Sequence, residues 1–337
     1  MGSETLDMGT VKTEPKPETA ESIWRNLFVR PEMGTFALLI LSIIAGSLLS
    51  PYFADLEFIL DSSSMFIEYG IAALILTYVI IAAQIDLSMA SNMALSACIT
   101  AFCFQSGIPM GLALFLGLLT GLFLGWVNGW IVTKFELPPI IVTIGTLALY
   151  RGIAMILMGD KSIGRFPEWF VGLDTRYVGS TFIPYPLVIF IILAVILWLI
   201  LNFTLFGRYV FAIGTNEQAA KYSGIRVKRL KLILFSVSGL FSAFAGIVMM
   251  SRLGVVRYDL ADGGILDIVT IALLGGVDIN GGRGNIGGTV IALFTLIVLR
   301  LGLSVANVKI ENQLAIIGSL LILSITLSNY IYSKRKI

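Results

Sequence analysis

Ten apolar stretches recur along this chain, near residues 34–49, 65–83, 87–105, 108–133, 137–158, 183–201, 230–250, 265–277, 286–305 and 314–332. A helix rises 1.5 Å per residue, so about 20 apolar residues cross the roughly 30 Å hydrocarbon core of a bilayer. A water-soluble domain has no place for so many. Of the 337 residues 57% are hydrophobic and only 13% charged, whereas soluble domains carry roughly 25% charge. The fold expected is therefore all-α, a polytopic membrane protein of about ten transmembrane helices. The segments ending at Ala83 and Val277 are short and flanked by Gly, Ala and Asp, which suits broken helices rather than clean spans.

Charge divides the chain further. Residues 1–32 mix acids (Glu4, Asp7, Glu14, Glu18) with bases (Lys12, Lys16, Arg25, Arg30) and read as a polar tail, followed by a transmembrane domain over 33–332 and a short basic tail at 333–337. With the amino terminus inside, the loop 50–64 lies outside and carries Asp55, Glu57 and Asp61 with no Lys or Arg. The loop 203–229 lies inside, with Arg208, Lys221, Arg226, Lys228 and Arg229 against Glu217. Lys334, Arg335 and Lys336 fall inside as well. All three placements obey the positive-inside rule, so ten crossings with both termini cytoplasmic are expected.

Catalysis has little to work with. The chain has no histidine, the commonest general base and metal ligand. Cys98 and Cys103 sit in one apolar segment and read as packing residues. Gly282-Arg-Gly-Asn-Ile-Gly287 fits G-x-G-x-x-G, yet lies between spans and lacks the strand that a dinucleotide site needs. No P-loop is present either, so if ATP drives this protein another subunit binds it. Gly111, Gly117, Gly121 and Gly125, and later Gly239, Ala243 and Gly246, suit close helix approach within a bundle.

The loop 203–229 is the most informative stretch. Thr215 and Gln218 read as a capping box and Gly224 as a left-handed helix end, which predicts a short helix over 216–223. Two turns are not stable alone in water. The helix must dock, either in another protein's groove through Ala219 and Ala220, with Lys221 at the rim, or on this chain's own membrane domain. Asp86 and Ser88, between apolar segments, read as caps of the third helix. Pro138 and Pro139 fit a helix start. Thr143 and Thr146, on one face of that helix, suit a polar pathway or ordinary backbone bonding. Asn92 and Asn128 suit interhelix bonds, or a sugar hydroxyl with Trp126 and Trp130 as stacking surfaces. Glu68 is the main acid within a span.

The pattern Gly214-x-Asn216-x-x-Ala219-Ala220-x-x-x-Gly224-Ile225-x-Val227 resembles the cytoplasmic loop of ABC-importer permeases, in the branch that imports ribose, xylose, arabinose, galactose, rhamnose and autoinducer-2. Glu217 is displaced by one residue from the usual acid-Ala-Ala spacing. Three further stretches are similar to the same family, over roughly residues 70 to 325. The first is Ile85-Asp86-Leu87-Ser88, where Ala83 and Gln84 replace the usual glycines. The second runs from Leu137-Pro138-Pro139 to Leu147 and continues into Arg151-Gly152; the third is Gly275-Gly276 followed by Gly281-Gly282 and on to Thr289.

The resemblance implies an ABC-importer permease that performs no covalent chemistry. It makes residues 216–223 a coupling helix, with Asn216, Glu217, Ala219, Ala220, Lys221 and Gly224 at the ATPase. It implies a second permease subunit, identical or paralogous, a cytoplasmic ABC ATPase that holds ATP and Mg, and an extracytoplasmic sugar-binding protein. Neither a cofactor on this chain nor a nucleic-acid partner is expected. The implied setting is the bacterial cytoplasmic membrane, and the stretch 145–153 leans toward the autoinducer-2 and rhamnose members. The competing expectation is an ion-coupled secondary transporter with Glu68 in its relay.

Overall fold

The computed structural model describes residues 31–49, 53, 55–173, 176–179 and 181–333. The polar tail up to Arg30 and the basic tail from Lys334 lie outside the described residues. Thirteen helices are seen among them, with one minimal sheet. They are α1 (Pro31–Leu49), α2 (Leu56–Ser63), α3 (Ile67–Ile81), α4 (Met89–Gln105), α5 (Met110–Phe135) and α6 (Pro139–Met158), then β1 (Ile163–Gly164), α7 (Tyr185–Phe203), α8 (Leu205–Thr215), α9 (Glu217–Tyr222), α10 (Val227–Leu253), β2 (Val255–Val256), α11 (Gly264–Leu274), α12 (Ile286–Val305) and α13 (Ile310–Ser333).

Every expected apolar stretch coincides with one of these helices. Prolines set several starts: Pro109 precedes α5, Pro138 and Pro139 open α6, and Pro184 precedes α7, positions where a missing N–H costs nothing. Five helices, α5, α6, α7, α10 and α12, are long and apolar enough to cross a membrane, or six if α2 and α3, bent by 69°, count as one span. Three others are too short to cross the full core: α3, α4 and α11 have 15, 17 and 11 residues, about 22, 25 and 16 Å. α3 and α11 stop short of Ala83 and Val277, where broken helices are expected, and run into non-helical segments; the one bent pair among the described residues is α2 with α3.

β1 pairs antiparallel with β2, Ile163 opposite Val256, and so gathers the ends of α6 and α10 on one face. On the other face Lys228, at the start of α10, reaches Glu136 between α5 and α6 at 2.6 Å. Lys228 holds the exposed Glu136 carboxyl below the usual range, through that hydrogen bond first and its charge second.

α10 runs through the middle of the bundle, and glycines set how closely its neighbours approach. A Cβ on Gly125 would meet the Phe235 carbonyl oxygen at 2.2 Å, and one on Gly239 the Gly121 oxygen at 2.1 Å. Gly246 lies as tightly on Met93, and Gly117 on Thr100. Gly111 departs from the expected pattern, with nothing within 4 Å; it sits beyond the crossing, at the open end of α5.

Candidate functional site

Three places carry polar chemistry: the α8–α9 corner, a buried network beside the α3–α4 break, and ion pairs on the opposite face.

At the corner, α9 spans Glu217–Tyr222, shorter than the expected 216–223. Its cap is Asn216, whose Oδ1 accepts the Ala219 N–H at 3.0 Å, and not Thr215. Thr215 is the last residue of α8, a helix that the apolar pattern did not announce, and its hydroxyl donates to the Phe211 carbonyl instead. The far end behaves as expected. Gly224 stands at φ +83°, with Gly224 N–H to Lys221 O and Ile225 N–H to Ala220 O closing the helix, the paired bonds of a Schellman motif. Ala220 is buried against the chain itself, while Ala219 and Lys221 are exposed. Lys231 of α10 grips both Glu217 oxygens at 2.9 and 2.8 Å. Tyr222, 88% exposed, was not singled out by the sequence; an aromatic in a basic, polar loop gives no periodic signal.

The network beside the break is buried throughout. Asp86 Oδ1 accepts from the Ser88 N–H at 3.0 Å and the Ser88 hydroxyl at 2.7 Å, and Oδ2 from the Ser238 hydroxyl at 2.7 Å. Asn128 Nδ2 donates to Ser88 Oγ at 2.8 Å, and the Tyr150 hydroxyl to Asn128 Oδ1 at 3.1 Å. A buried carboxylate is tolerable when hydrogen bonds replace its water, and four helices supply this set: α4, α5, α6 and α10. Ser88 occupies the cap position of α4 but makes no capping bond through its side chain; its hydroxyl serves Asp86. Nearby, Thr143 donates to Pro139 O at 2.9 Å and lies 3.3 Å from Ile85 O, and Thr146 bonds Thr143 O at 3.4 Å. Asn92 stands apart on α4, donating to Gly121 O at 3.3 Å and accepting from Ser96. So Asn128, Thr143, Thr146, Asp86 and Ser88 come together, and Asn92 does not join them. Trp126 and Trp130 are stacked on each other, 6.3 Å between centroids, along the exposed side of α5, away from Asn128.

α3 ends beside this network at Ala83, φ +56°, with Ala83 N–H to Ile80 O and Gln84 N–H to Val79 O. The Gln84 Nε2 folds back onto the Ala82 and Ala83 carbonyls at 3.2 and 2.9 Å, while its Oε1 is buried without a hydrogen-bond partner. α11 ends in the same way at Gly276, φ +85°. The loop that follows carries Gly282, φ +75°, whose N–H donates to the Ile81 carbonyl at 2.7 Å.

On the opposite face Glu68 Oε1 accepts from Arg252 Nε at 2.6 Å, and Arg300 reaches Asp267 at 2.5 Å. Both acids are buried. The sequence offered no partner for Glu68, because the pair spans 184 positions. Arg151 is also structural in its contacts, donating to the Tyr258 carbonyl and, at 2.9 Å, to that of Leu260. An open cavity of about 510 Å³ on this face is bordered by Asp55, Glu57, Asp61 and Tyr177. Among the described residues no group of His, Cys, Asp and Glu could hold a metal.

The family model described as branched-chain amino acid transport system / permease component matches residues 58–325. The autoinducer 2 import system permease protein LsrD of Escherichia coli K12 is 38% identical over 297 residues, covering 86% of this chain and 89% of that protein. The LsrD of Shigella flexneri matches to the same extent. No solved structure matches the chain.

Proposed function

Since the chain belongs to the permease-component family of branched-chain amino acid transport systems and is the permease subunit of a sugar-type ABC importer, we propose that it carries autoinducer-2 or a similarly small polyhydroxylated solute through a pathway formed with a second permease subunit. The observation that carries the cargo is the 38% identity to LsrD across nearly the whole chain. The chemistry beside the α3–α4 break agrees with it. Hydroxyls and amides of Ser88, Asn128, Thr143, Thr146 and Tyr150 suit a polyol, and the half-buried guanidinium groups of Arg252 and Arg300 are already bound to carboxylates, leaving them poorly placed to take an amino-acid carboxylate.

In this reading the α9 face is cytoplasmic, ten segments cross the bacterial inner membrane, and both termini lie inside. Helix α9 is the coupling helix: Asn216 caps it, Glu217 anchors it to α10, Ala219 and Lys221 meet the ATPase, and Ala220 and Gly224 hold its shape. The ATPase supplies ATP and Mg, and a binding protein delivers cargo to the opposite face. This chain does no covalent chemistry. It changes access because the nucleotide-bound ATPase binds one arrangement of the bundle better than the other. Asn92, Asn128, Thr143 and Thr146 line the pathway once the halves part, exchanging interhelix bonds for bonds to cargo.

The test is competition for uptake of labelled autoinducer-2 into cells carrying the intact importer. Unlabelled autoinducer-2 is expected to compete, with rhamnose or ribose weaker and leucine without effect. Competition by leucine alone would overturn the cargo.

A further inference from the structure

The corner between α8 and α9 presses most tightly on the bundle at one backbone carbonyl. Gly214 lies one residue before the end of α8, and a Cβ placed on it would stand 1.7 Å from the Ile81 carbonyl oxygen and 2.5 Å from the Gly282 nitrogen. That same oxygen accepts the Gly282 N–H at 2.7 Å. Next to it, a Cβ on Gly282 would meet Thr215 Oγ1 at 2.8 Å, and one on Gly281 would meet the Ala83 Cβ at 2.6 Å. Three segments therefore converge on Ile81 O: the end of α8, the end of α3, and the loop between α11 and α12.

Each leads somewhere different. Only Asn216 separates α8 from α9, and its N–H bonds back to Ala212 O while its carbonyl accepts the Ala220 N–H. The two helices are thus joined without slack. From Ile81 the chain runs through Ala83 and Gln84 directly into Asp86 and Ser88. From Gly282 it runs into α12, which Thr289 ties back to Thr77 of α3 at 2.8 Å. A side-chain contact would yield by changing rotamer. Backbone against backbone has no such freedom, and close-packed interiors transmit displacement.

We infer that Gly214 is a positioning residue for transport, the point at which movement of α9 is passed to both non-helical breaks at once. The inference rests on α9 being the coupling helix. A methyl group at Gly214 must lift α8 off Ile81 by more than 1 Å and part it from Gly282, while leaving the outer surface of α9 unchanged.

The experiment uses the complete importer in proteoliposomes, comparing wild type with Gly214→Ala. ATPase co-purification and basal ATP hydrolysis are expected to stay within about two-fold of wild type. Uptake, and the stimulation of hydrolysis by cargo-loaded binding protein, are expected to fall at least ten-fold. A residue that merely supported the fold would lower assembly and basal hydrolysis in step with uptake. Uptake within two-fold of wild type would overturn the inference. Should Gly214→Ala not assemble, hydrogen exchange at the Gly282 amide in wild-type importer decides. A ten-fold or greater change in protection between the nucleotide-free and ATP-trapped states supports the inference, and an unchanged amide overturns it. Wild-type uptake without the ATPase would instead overturn the importer reading itself, a result separate from any effect of the variant.

Discussion

Ala83 holds φ at +56° at the end of α3, where glycine does the same work at Gly276 behind α11. An L side chain in the left-handed region costs about 1–2 kcal/mol, against which glycine gives back part through its freer unfolded chain. Ala83→Gly is therefore expected to stabilise the protein by up to about 1 kcal/mol, read as a higher midpoint of thermal unfolding in detergent; an equal or lower midpoint would contradict the strain. At this scale the sequence was legible in part. Gly224 as a helix end and Pro138–Pro139 as a helix start rest on backbone geometry that few residues satisfy. Thr215 reads as the α9 cap because Gln218 three residues on completes a capping-box spacing, although Asn is the better cap residue; what decides for Asn216, the end of α8, is a packing result. The pairing of Glu68 with Arg252 lay beyond reach for the same reason.

Among the elements, the ten apolar helices were visible in the pattern, since length and hydropathy are local. α8 was not. Arg208 and its glycines interrupt any apolar run, and its place follows from Gly207 and Gly214 seated on the Leu201 and Ile81 carbonyls. Small residues foretold close crossings but not which of them mattered. Gly125 sits where α5 meets α10 with no room for a methyl, whereas Gly111 sits in open space. Gly125→Ala is expected to destabilise by about 1–3 kcal/mol through overpacking, and Gly111→Ala to be neutral or stabilising by up to about 1 kcal/mol from helix propensity. Thermal unfolding of the two variants side by side checks this. Equal shifts would show that the crossing is not set by glycine.

For the whole molecule, the permease reading joins two faces of opposite character. One presents α9 within a basic collar of Lys221, Arg226, Lys228 and Arg229; the other closes over the Glu68–Arg252 and Asp267–Arg300 pairs, tying α3 to α10 and α11 to α12. The buried polar network lies between them, next to the two helix breaks. What the sequence left open, which polar residues meet, is a matter of helix facing: Asn128 turns to Ser88, while Trp126 and Trp130, two positions either side, turn outward. Cargo is expected to move only when both faces are engaged. The most direct measurement is uptake of labelled autoinducer-2 by proteoliposomes holding this permease, with the ATPase and the binding protein each present or omitted and ATP supplied on the ATPase side. Uptake that needs both partners and ATP is predicted. Uptake by the permease alone, abolished when an ion gradient is collapsed, would contradict it.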